Sequence, residues 1–155
     1  MTKTRSKFNN IKSDGKDSKL ETKYQDIFRM LKIGGELEDF KRLDKIDTIE
    51  LFEHFIILKN GKKSTQESIK YTPDFKLIGV DAILPVGSEQ VKLKADVVWV
   101  ELKTESTKTE AYGIRKRLFL MQLKENELFV EIEETRKTGL GLQKKCTVYQ
   151  KILKK

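Results

Sequence analysis

The apolar run over residues 97–100 constrains the fold more than any other part of the chain. Its sequence is Val-Val-Trp-Val, with no polar residue, and such a run is typical of a β-strand covered on both faces. The charged residues Glu101 and Lys103 begin where that strand would emerge from the covering layers. We therefore expect a central strand of a sheet here, with a polar end.

The end of this strand has the residue types of a catalytic centre. Residues i and i+2 of a strand share a face, so Glu101 and Lys103 project together while Leu102 points away and offers its backbone carbonyl. A second carboxylate, Asp74, follows Pro73. Phosphodiester hydrolysis uses a divalent cation, and Mg²⁺ prefers one or two carboxylates with waters. A lysine ammonium beside it orients the attacking water and stabilises charge on phosphate.

A simpler interpretation of the same residues stays open. A Pro-Asp pair followed by Glu-x-Lys arises by chance in chains rich in lysine and glutamate. In that case Pro73 starts an edge strand, and Glu101 with Lys103 forms a solvated strand end. The two interpretations differ in whether Asp74 and Glu101 meet in space.

Composition limits the class of protein. A chain of 155 residues with 37% hydrophobic content suffices for one domain with a core. The net charge of +8 favours a polyanionic partner, although basic charge also serves solubility. The single Cys146 excludes an internal disulfide and cannot build a zinc site, so we expect a reducing, cytoplasmic compartment. No stretch has the apolar length of a membrane span, and the start lacks the apolar core of a signal peptide.

The first sixteen residues and the segment after them differ in character. Residues 1–16 include Lys3, Arg5 and Lys7 and few apolar side chains, which predicts a mobile basic arm that contacts DNA or is simply solvated.

We expect one domain over residues 17–155. From Asp17 to Ile33 apolar residues recur at helical spacing before Gly34-Gly35, which predicts a helix. Its Ser18-x-x-Glu21 start has the form of a capping box, a structural role for Glu21.

The middle of the chain predicts strands. Residues 49–58 are rich in Ile, Leu and Phe and predict a strand closed by a turn at Asn60-Gly61, with His54 as an ordinary strand residue. Residues 67–84 predict a strand that carries Asp74. A turn at residues 85–88 then leads into a strand over 91–103. This hairpin would bring Asp74 beside Glu101, although the spacing leaves the register open.

A basic helix follows the predicted catalytic strand. Ala111, Ile114, Leu118 and Met121 are spaced for its apolar face, with Phe119 and Leu120 adding width. The other face is either solvated or placed to hold a DNA backbone near the cleavage site, with Thr107 and Thr109 at the phosphate-favouring N-terminus. Its basic residues are Lys108, Arg115, Lys116 and Arg117. Residues 128–134 then predict a strand, 137–145 a loop and 146–153 a final strand.

These blocks together resemble the PD-(D/E)XK nucleases. The likeness is to a small phage- and prophage-encoded branch whose domain has no assigned function. It rests on four blocks that occur in the family's order over most of residues 5–121. The blocks are Asp17-Ser18-Lys19-Leu20-Glu21, Tyr71-Thr72-Pro73-Asp74-Phe75, Val100-Glu101-Leu102-Lys103, and Lys108-Thr109-Glu110-Ala111-Tyr112 with Ile114 to Phe119.

The resemblance implies a fold, a cofactor and a site. It implies an α/β (α+β) domain with a restriction-endonuclease-like αβββαβ core, a central mixed sheet flanked by helices, and a Mg²⁺ or Mn²⁺ dependent centre. Asp74, Glu101 and the Leu102 carbonyl would bind the metal, Lys103 would act on the water, and Glu21 would complete the site. Two segments, 44–49 and 75–97, depart from the branch in length. The last thirty residues carry no resemblance.

From the resemblance, size and charge we expect a phage Holliday-junction resolvase that cuts branched DNA as a homodimer in the cytoplasm of the bacterial host. A four-way junction has two-fold symmetry, so paired cuts call for two active sites. The DNA contacts would come from Lys108, Thr109, Arg115, Lys116 and Arg117, with Lys3, Arg5 and Lys7 from the arm. Open alternatives are a less selective nicking, flap or end-processing nuclease, a DNA-binding module that has lost catalysis, and a basic protein that binds an acidic partner surface.

Overall fold

In the described part of the chain, two helices pack against one large sheet of five strands. The structure, a computed structural model, describes residues 19–52, 55–65, 69–104, 109–137 and 141–151. Neither helix in these ranges has the length and apolarity needed to cross a bilayer. The elements in chain order are α1 (Lys19–Ile33), β1 (Leu37–Arg42), a 3₁₀ turn (Lys45–Asp47), β2 (Ile49–Phe52), β3 (Phe55–Ile57), β4 (Lys63–Thr65), β5 (Ile69–Tyr71), β6 (Phe75–Val86), β7 (Glu89–Thr104), α2 (Glu110–Leu120), β8 (Glu127–Lys137) and β9 (Gly141–Tyr149).

The large sheet is mixed and has the strand order β1-β6-β7-β8-β9. Its neighbours are antiparallel except β7 and β8, which run parallel, and α2 supplies the crossover that a parallel pair requires. Two small sheets, β2 with β5 and β3 with β4, lie outside it. The chain is thus an α+β protein with a central mixed sheet, which agrees with the expected class.

The two helices cover opposite faces of β7. Val98, Val100 and Leu102 belong to the core that contains α1, whereas Trp99 packs with the aromatic cluster of α2. Both faces of the predicted apolar strand are therefore covered, as the Val-Val-Trp-Val run indicates. The alternation also decides the site, because the odd-numbered Glu101 and Lys103 face the α2 side.

Helix α1 ends where the sequence predicts. Its residues Tyr24 and Phe28 have no exposed surface, and Phe28 packs edge-on against Phe75 with ring centroids 5.1 Å apart. Gly35 has a φ of +77°, which a residue with a Cβ rarely adopts, and the chain reverses there into β1. The predicted first residues, including the Ser18 half of the capping box, lie outside the described residues.

The hairpin of β6 and β7 is long and turns at Gly87-Ser88. Pro85 lies in β6, opposite Gln90, rather than in the turn as predicted. This is tolerated because β1 pairs with β6 only as far as Val80, which leaves the outer half of β6 at the sheet edge. The lengthened segment also has a structural use: Ala82, Leu84, Val86 and Leu93 are buried in the same core as α1.

Three predicted segments differ from the structure. The strand expected over 49–58 is divided into two strands: β2 pairs with β5, and β3 pairs with β4. His54, expected within that strand, lies outside the described residues. The strand expected over 67–84 breaks at residues 72–74, because Pro73 has no amide hydrogen to donate, so Asp74 precedes β6 instead of lying within it. The loop expected over 137–145 becomes β9 from Gly141 onward, paired with β8.

Helix α2 buries only part of the predicted apolar face: Phe119 and Leu120 are buried as expected, whereas two other predicted members are not. Ile114 and Met121, assigned to the apolar face, are 50% and 67% exposed. The buried residues are Tyr112, Phe119 and Leu120, with Lys116 on the same side. Tyrosine and lysine have apolar bodies with polar tips, so this face has no clear apolar stripe in the sequence. The helix is held by what its polar tips contact as well as by apolar packing.

Candidate active site

Asp74 is fixed at the point where β6 begins. Its backbone amide donates to the Val100 carbonyl at 3.0 Å, and its carbonyl accepts from the Leu43 amide at 3.0 Å. Its Oδ2 accepts a hydrogen bond from the Leu102 amide at 2.7 Å. β6 starts at Phe75, which pairs with Val100 of β7. Beyond Val100, the Leu102 amide therefore donates to the Asp74 carboxylate instead of to a backbone carbonyl of β6.

Glu101 is buried beside Asp74 and has two partners. The hydroxyl of Tyr71 donates to its Oε2 at 2.6 Å, and the Lys103 Nζ lies 3.0 Å from its Oε1. Lys103 also lies over the ring of Tyr112, with Nζ 4.0 Å from the centroid. The residues predicted to share a strand face, Glu101 and Lys103, do so.

Glu21 reaches the same place from the first turn of α1. Its carboxyl group lies 3.2 Å from a guanidinium nitrogen of Arg42 and forms a hydrogen bond with Asp74. Helix α1, the segment before β6 and the end of β7 therefore bring Glu21, Asp74 and Glu101 together. Asp74 is the residue between the other two.

The crowding of acids changes their titration. Burial, with the neighbouring Asp74 charge, raises the pKa of Glu101 to about 7. Burial and the same neighbour raise the pKa of Glu21 to about 7, and burial also raises the pKa of Asp74. A bound cation would oppose all three shifts, because it stabilises the ionised forms.

The donor set fits a hard divalent cation. Asp74 and Glu101 offer carboxylate oxygens, and Leu102, which follows Glu101 and whose amide donates to Asp74, has a backbone carbonyl that can supply a third oxygen. Mg²⁺ and Mn²⁺ prefer such oxygen ligands and retain several waters, so two carboxylates suffice. In the described ranges, no three or more His, Cys, Asp or Glu side chains form a ready-made cage.

A polar cleft of about 420 Å³ opens beside Glu101 and Lys103. Its basic lining residues come from different elements, Lys70 from β5, Lys103 from β7 and Arg115 from α2. Thr109 caps α2 by accepting from the Tyr112 amide at 3.1 Å, and the Thr48 and Thr72 hydroxyls are 2.9 Å apart. Other lining residues are Tyr71, Glu101 and Tyr112.

A larger cavity of about 550 Å³ lies between α1 and the outer hairpin. It is lined mainly by apolar side chains, including Ile27, Met30 and Ile83, and shares no lining residue with the acid cluster. The acid cluster and Lys103 therefore lie away from this apolar cavity, whereas Glu101 and Lys103 line the smaller, polar cleft.

The predicted DNA-binding residues separate into three groups. Thr109 and Arg115 line the cleft, and Arg117 is exposed on α2. Lys116 faces the sheet, where its Nζ lies 3.2 Å from Glu131, so its charge is compensated inside the protein rather than presented to solvent. Lys3, Arg5, Lys7 and Lys108 lie outside the described residues.

Sequence reasoning missed several residues of the site. They are Tyr71, Tyr112, Lys70 and Arg42: the two tyrosines lie within the blocks that carry the resemblance but received no role, and no local pattern marks Lys70 or Arg42. Glu131 is different, because it is a single acid between the apolar Val130 and Ile132 of a strand. An isolated charge at such a position is rarely buried without a partner, so the sequence contained a usable signal.

Comparison with known proteins gives no family for this chain: no protein-family model, no curated protein and no solved structure matches it.

Proposed function

We propose that this protein is a nuclease that uses a divalent cation to hydrolyse phosphodiester bonds in DNA. One observation supports this above others: the Asp74 carboxylate, just before β6, neighbours the Glu101 carboxylate near the end of β7, and the Lys103 Nζ lies 3.0 Å from a Glu101 oxygen. Two neighbouring carboxylates with an ammonium beside one of them match the needs of phosphodiester hydrolysis.

Each residue has a defined task in this proposal. Asp74, Glu101 and the Leu102 carbonyl hold the cation, which when bound acts as a Lewis acid and lowers the pKa of a bound water. Tyr71 keeps the Glu101 carboxylate in place through its hydroxyl, and Glu21 does the same for Asp74. The ammonium of Lys103 has three donors, one of which goes to Glu101, so others remain for the attacking water or a phosphate oxygen.

Lys70 and Arg115 hold the DNA backbone next to the reacting group. They are exposed, line the cleft from two different elements, β5 and α2, and form no ion pair with another residue in the part of the chain that the structure describes. Guanidinium and ammonium groups are the usual phosphate contacts in protein–DNA complexes. The net charge of +8 adds long-range attraction that weakens with salt.

The order of elements supports a restriction-endonuclease-like fold within this proposal. Counting only the large sheet, the chain runs α1, β1, β6, β7, α2, β8, which is an αβββαβ order. β9 and the two small sheets are additions to that core. We further propose that the substrate is branched DNA, most specifically a four-way junction cut by a homodimer, since its two-fold symmetry needs paired sites.

One observation favours a second candidate, a DNA-binding module without catalysis. Both metal-binding carboxylates already have protein partners, Asp74 the Leu102 amide and Glu101 the Lys103 ammonium. If these contacts persist in the presence of cation, the basic cleft binds DNA and does not cut it. A less selective nicking, flap or end-processing nuclease is the corresponding alternative among enzymes.

A substrate panel tests the proposal. Purified protein is incubated with four-way junction, flap, linear duplex and single-stranded DNA in Mg²⁺, Mn²⁺ or chelator. We expect cleavage in either metal, none in chelator, and preference for the junction. Cleavage of linear DNA with an intact junction would remove the resolvase assignment and leave a nuclease. Binding without cleavage of any substrate would favour the module.

Two variants separate catalysis from binding. Asp74→Asn should reduce cleavage by at least about a hundredfold while DNA affinity is kept, because losing a negative charge lowers repulsion of phosphate. The matched control is Asp39→Asn. Asp39 is an exposed acid on β1 that forms an ion pair with Lys32 of α1 and is not part of the acid cluster. It should cleave like the unmodified protein.

A further inference from the structure

A second buried acid lies directly beside the catalytic strand. Glu131 of β8 is the register partner of Glu101 in the parallel β7–β8 pair, and only 4% of it is exposed. The chemistry proposed above does not use Glu131. Its partners lie on α2 instead.

The inward face of α2 contacts Glu131 through one of its two carboxylate oxygens. The Tyr112 hydroxyl donates to its Oε2, and the Lys116 Nζ lies 3.2 Å from the same oxygen. Lys116 is also 3.4 Å from the Tyr149 hydroxyl. A buried carboxylate is tolerated only when such partners satisfy it, so these contacts hold the orientation of the Tyr112 side chain.

Tyr112 in turn contacts the catalytic lysine. The Lys103 Nζ lies 4.0 Å from the centre of the Tyr112 ring, within cation–π distance, and 3.0 Å from Glu101. A lysine side chain has four rotatable bonds and loses much freedom when it is held. The ring face and the Glu101 oxygen together restrict where its ammonium can be.

We propose that Glu131 is a positioning residue: it holds the Tyr112 ring under the Lys103 ammonium and so keeps that ammonium in the cleft. The positioning is a property of the folded protein in itself. Its consequence for catalysis rests on the proposed nuclease function.

The positioning can be measured without any activity. The ε-methylene of a lysine above an aromatic ring resonates upfield because of the ring current. We expect upfield ε-methylene signals for Lys103, assigned by their loss in Lys103→Arg. Glu131→Ala should move them toward the position of a free lysine, whereas Glu131→Gln, which still accepts from Tyr112, should largely retain them.

Two more variants keep the test decisive. Tyr112→Phe retains the ring but removes the hydroxyl, and should move the Lys103 signals as Glu131→Ala does, which decides the question if the alanine variant does not fold. Glu127→Ala, at the first residue of β8, is the matched control and should leave the signals in place. Unchanged Lys103 signals in folded Glu131→Ala or in Tyr112→Phe would overturn the proposal.

Kinetics test the catalytic consequence. Glu131→Ala should lower kcat by roughly ten- to a hundredfold with KM nearly unchanged, because Lys103 is misplaced while the DNA contacts remain. Glu131→Gln should restore most of kcat. If KM rises and kcat is kept, Glu131 does not act through Lys103. If the unmodified protein cuts no DNA, the nuclease proposal fails, and the Lys103 resonances still decide the positioning.

Discussion

Asp74 accepts a hydrogen bond from the backbone amide of Leu102, 2.7 Å away, and this contact joins the start of β6 to the end of β7. The same carboxylate lies next to Glu101 and shares a hydrogen bond with Glu21. The Asp74 side chain therefore connects β6 with β7 and also lies between the other two acids, Glu21 and Glu101. The same residue contributes to the fold and to the candidate active site.

The first prediction separates these two roles of Asp74. Asp74→Asn keeps an oxygen that accepts from Leu102, whereas Asp74→Ala leaves that amide without its partner. We expect the alanine variant to be less stable than the asparagine variant by about 1–3 kcal/mol in urea unfolding with chelator. Both should lose cleavage. Cleavage retained by Asp74→Asn would contradict metal binding by this residue.

The second prediction concerns pH and the metal-free protein. The pKa of Glu101 is raised to about 7 by burial and by Asp74, above its ordinary value of 4.5. Between these values the native state holds a proton that the unfolded chain has lost, so stability falls as pH rises through this window. We expect Glu101→Gln, which carries no charge, to gain stability relative to the unmodified protein on going from pH 5 to pH 8.

Thermal unfolding in chelator at pH 5, 6, 7 and 8 measures this difference. Glu21→Gln should behave in the same direction, because the pKa of Glu21 is also raised to about 7. The control Asp39→Asn removes an exposed carboxyl whose pKa is lowered by its hydrogen bond to Lys32, so it should show no such gain. If the difference in Tm between Glu101→Gln and the unmodified protein is the same at all four pH values, Glu101 is ionised over the whole range from pH 5 to pH 8.

The third prediction is that divalent cation stabilises the protein at pH 8. Binding to the native state alone adds about 2.7 kcal/mol at a concentration one hundred times the dissociation constant. We expect Mg²⁺ and Mn²⁺ to raise the Tm of the unmodified protein. The double variant Asp74→Asn with Glu101→Gln should show little change, since it lacks both anionic ligands. An equal rise in the double variant would place the cation elsewhere.

The fourth prediction contrasts neighbouring basic residues of α2. Arg115 lines the cleft, so Arg115→Ala should weaken DNA binding and lower the slope of log affinity against log salt by about 1. Lys70→Ala, on β5, should also weaken DNA binding and lower this slope. Lys124→Ala, an exposed charge on the turn after α2, is the control and should have a smaller effect. Titrations of labelled junction DNA in chelator, at several salt concentrations, measure these changes.

Lys116→Ala should act on stability instead. Its ammonium is the charged partner of the buried Glu131, so removing it leaves that carboxylate with an incomplete set of donors. We expect a loss of roughly 1–3 kcal/mol in urea unfolding. A variant that binds DNA weakly and unfolds normally would return Lys116 to the DNA-contacting group.

Much of the fold could be predicted because it depends on local patterns. The spacing of Tyr24 and Phe28 marks α1, Gly35 ends it, and the apolar run before Glu101 marks a strand covered on both faces. The shared face of Glu101 and Lys103 follows from the two-residue period of any strand. These features need no knowledge of distant residues.

Other features depended on which distant residues meet. The inward side of α2 includes Tyr112 and Lys116, which contact the buried Glu131. In the sequence alone, a tyrosine and a lysine in a basic helix do not indicate a buried face. The division of residues 49–58 between β2 and β3 depends on the separate strands that each one pairs with.

The sequence by itself determined the helix and strand periods and the order of the acidic residues along the chain. Only the tertiary structure decided that Asp74, Glu101 and Glu21 converge and that Glu131 lies behind Tyr112. The physical reason is that a register between strands, and the partner of a buried charge, are set by the free energy of the whole packed arrangement. No short stretch of sequence contains that information.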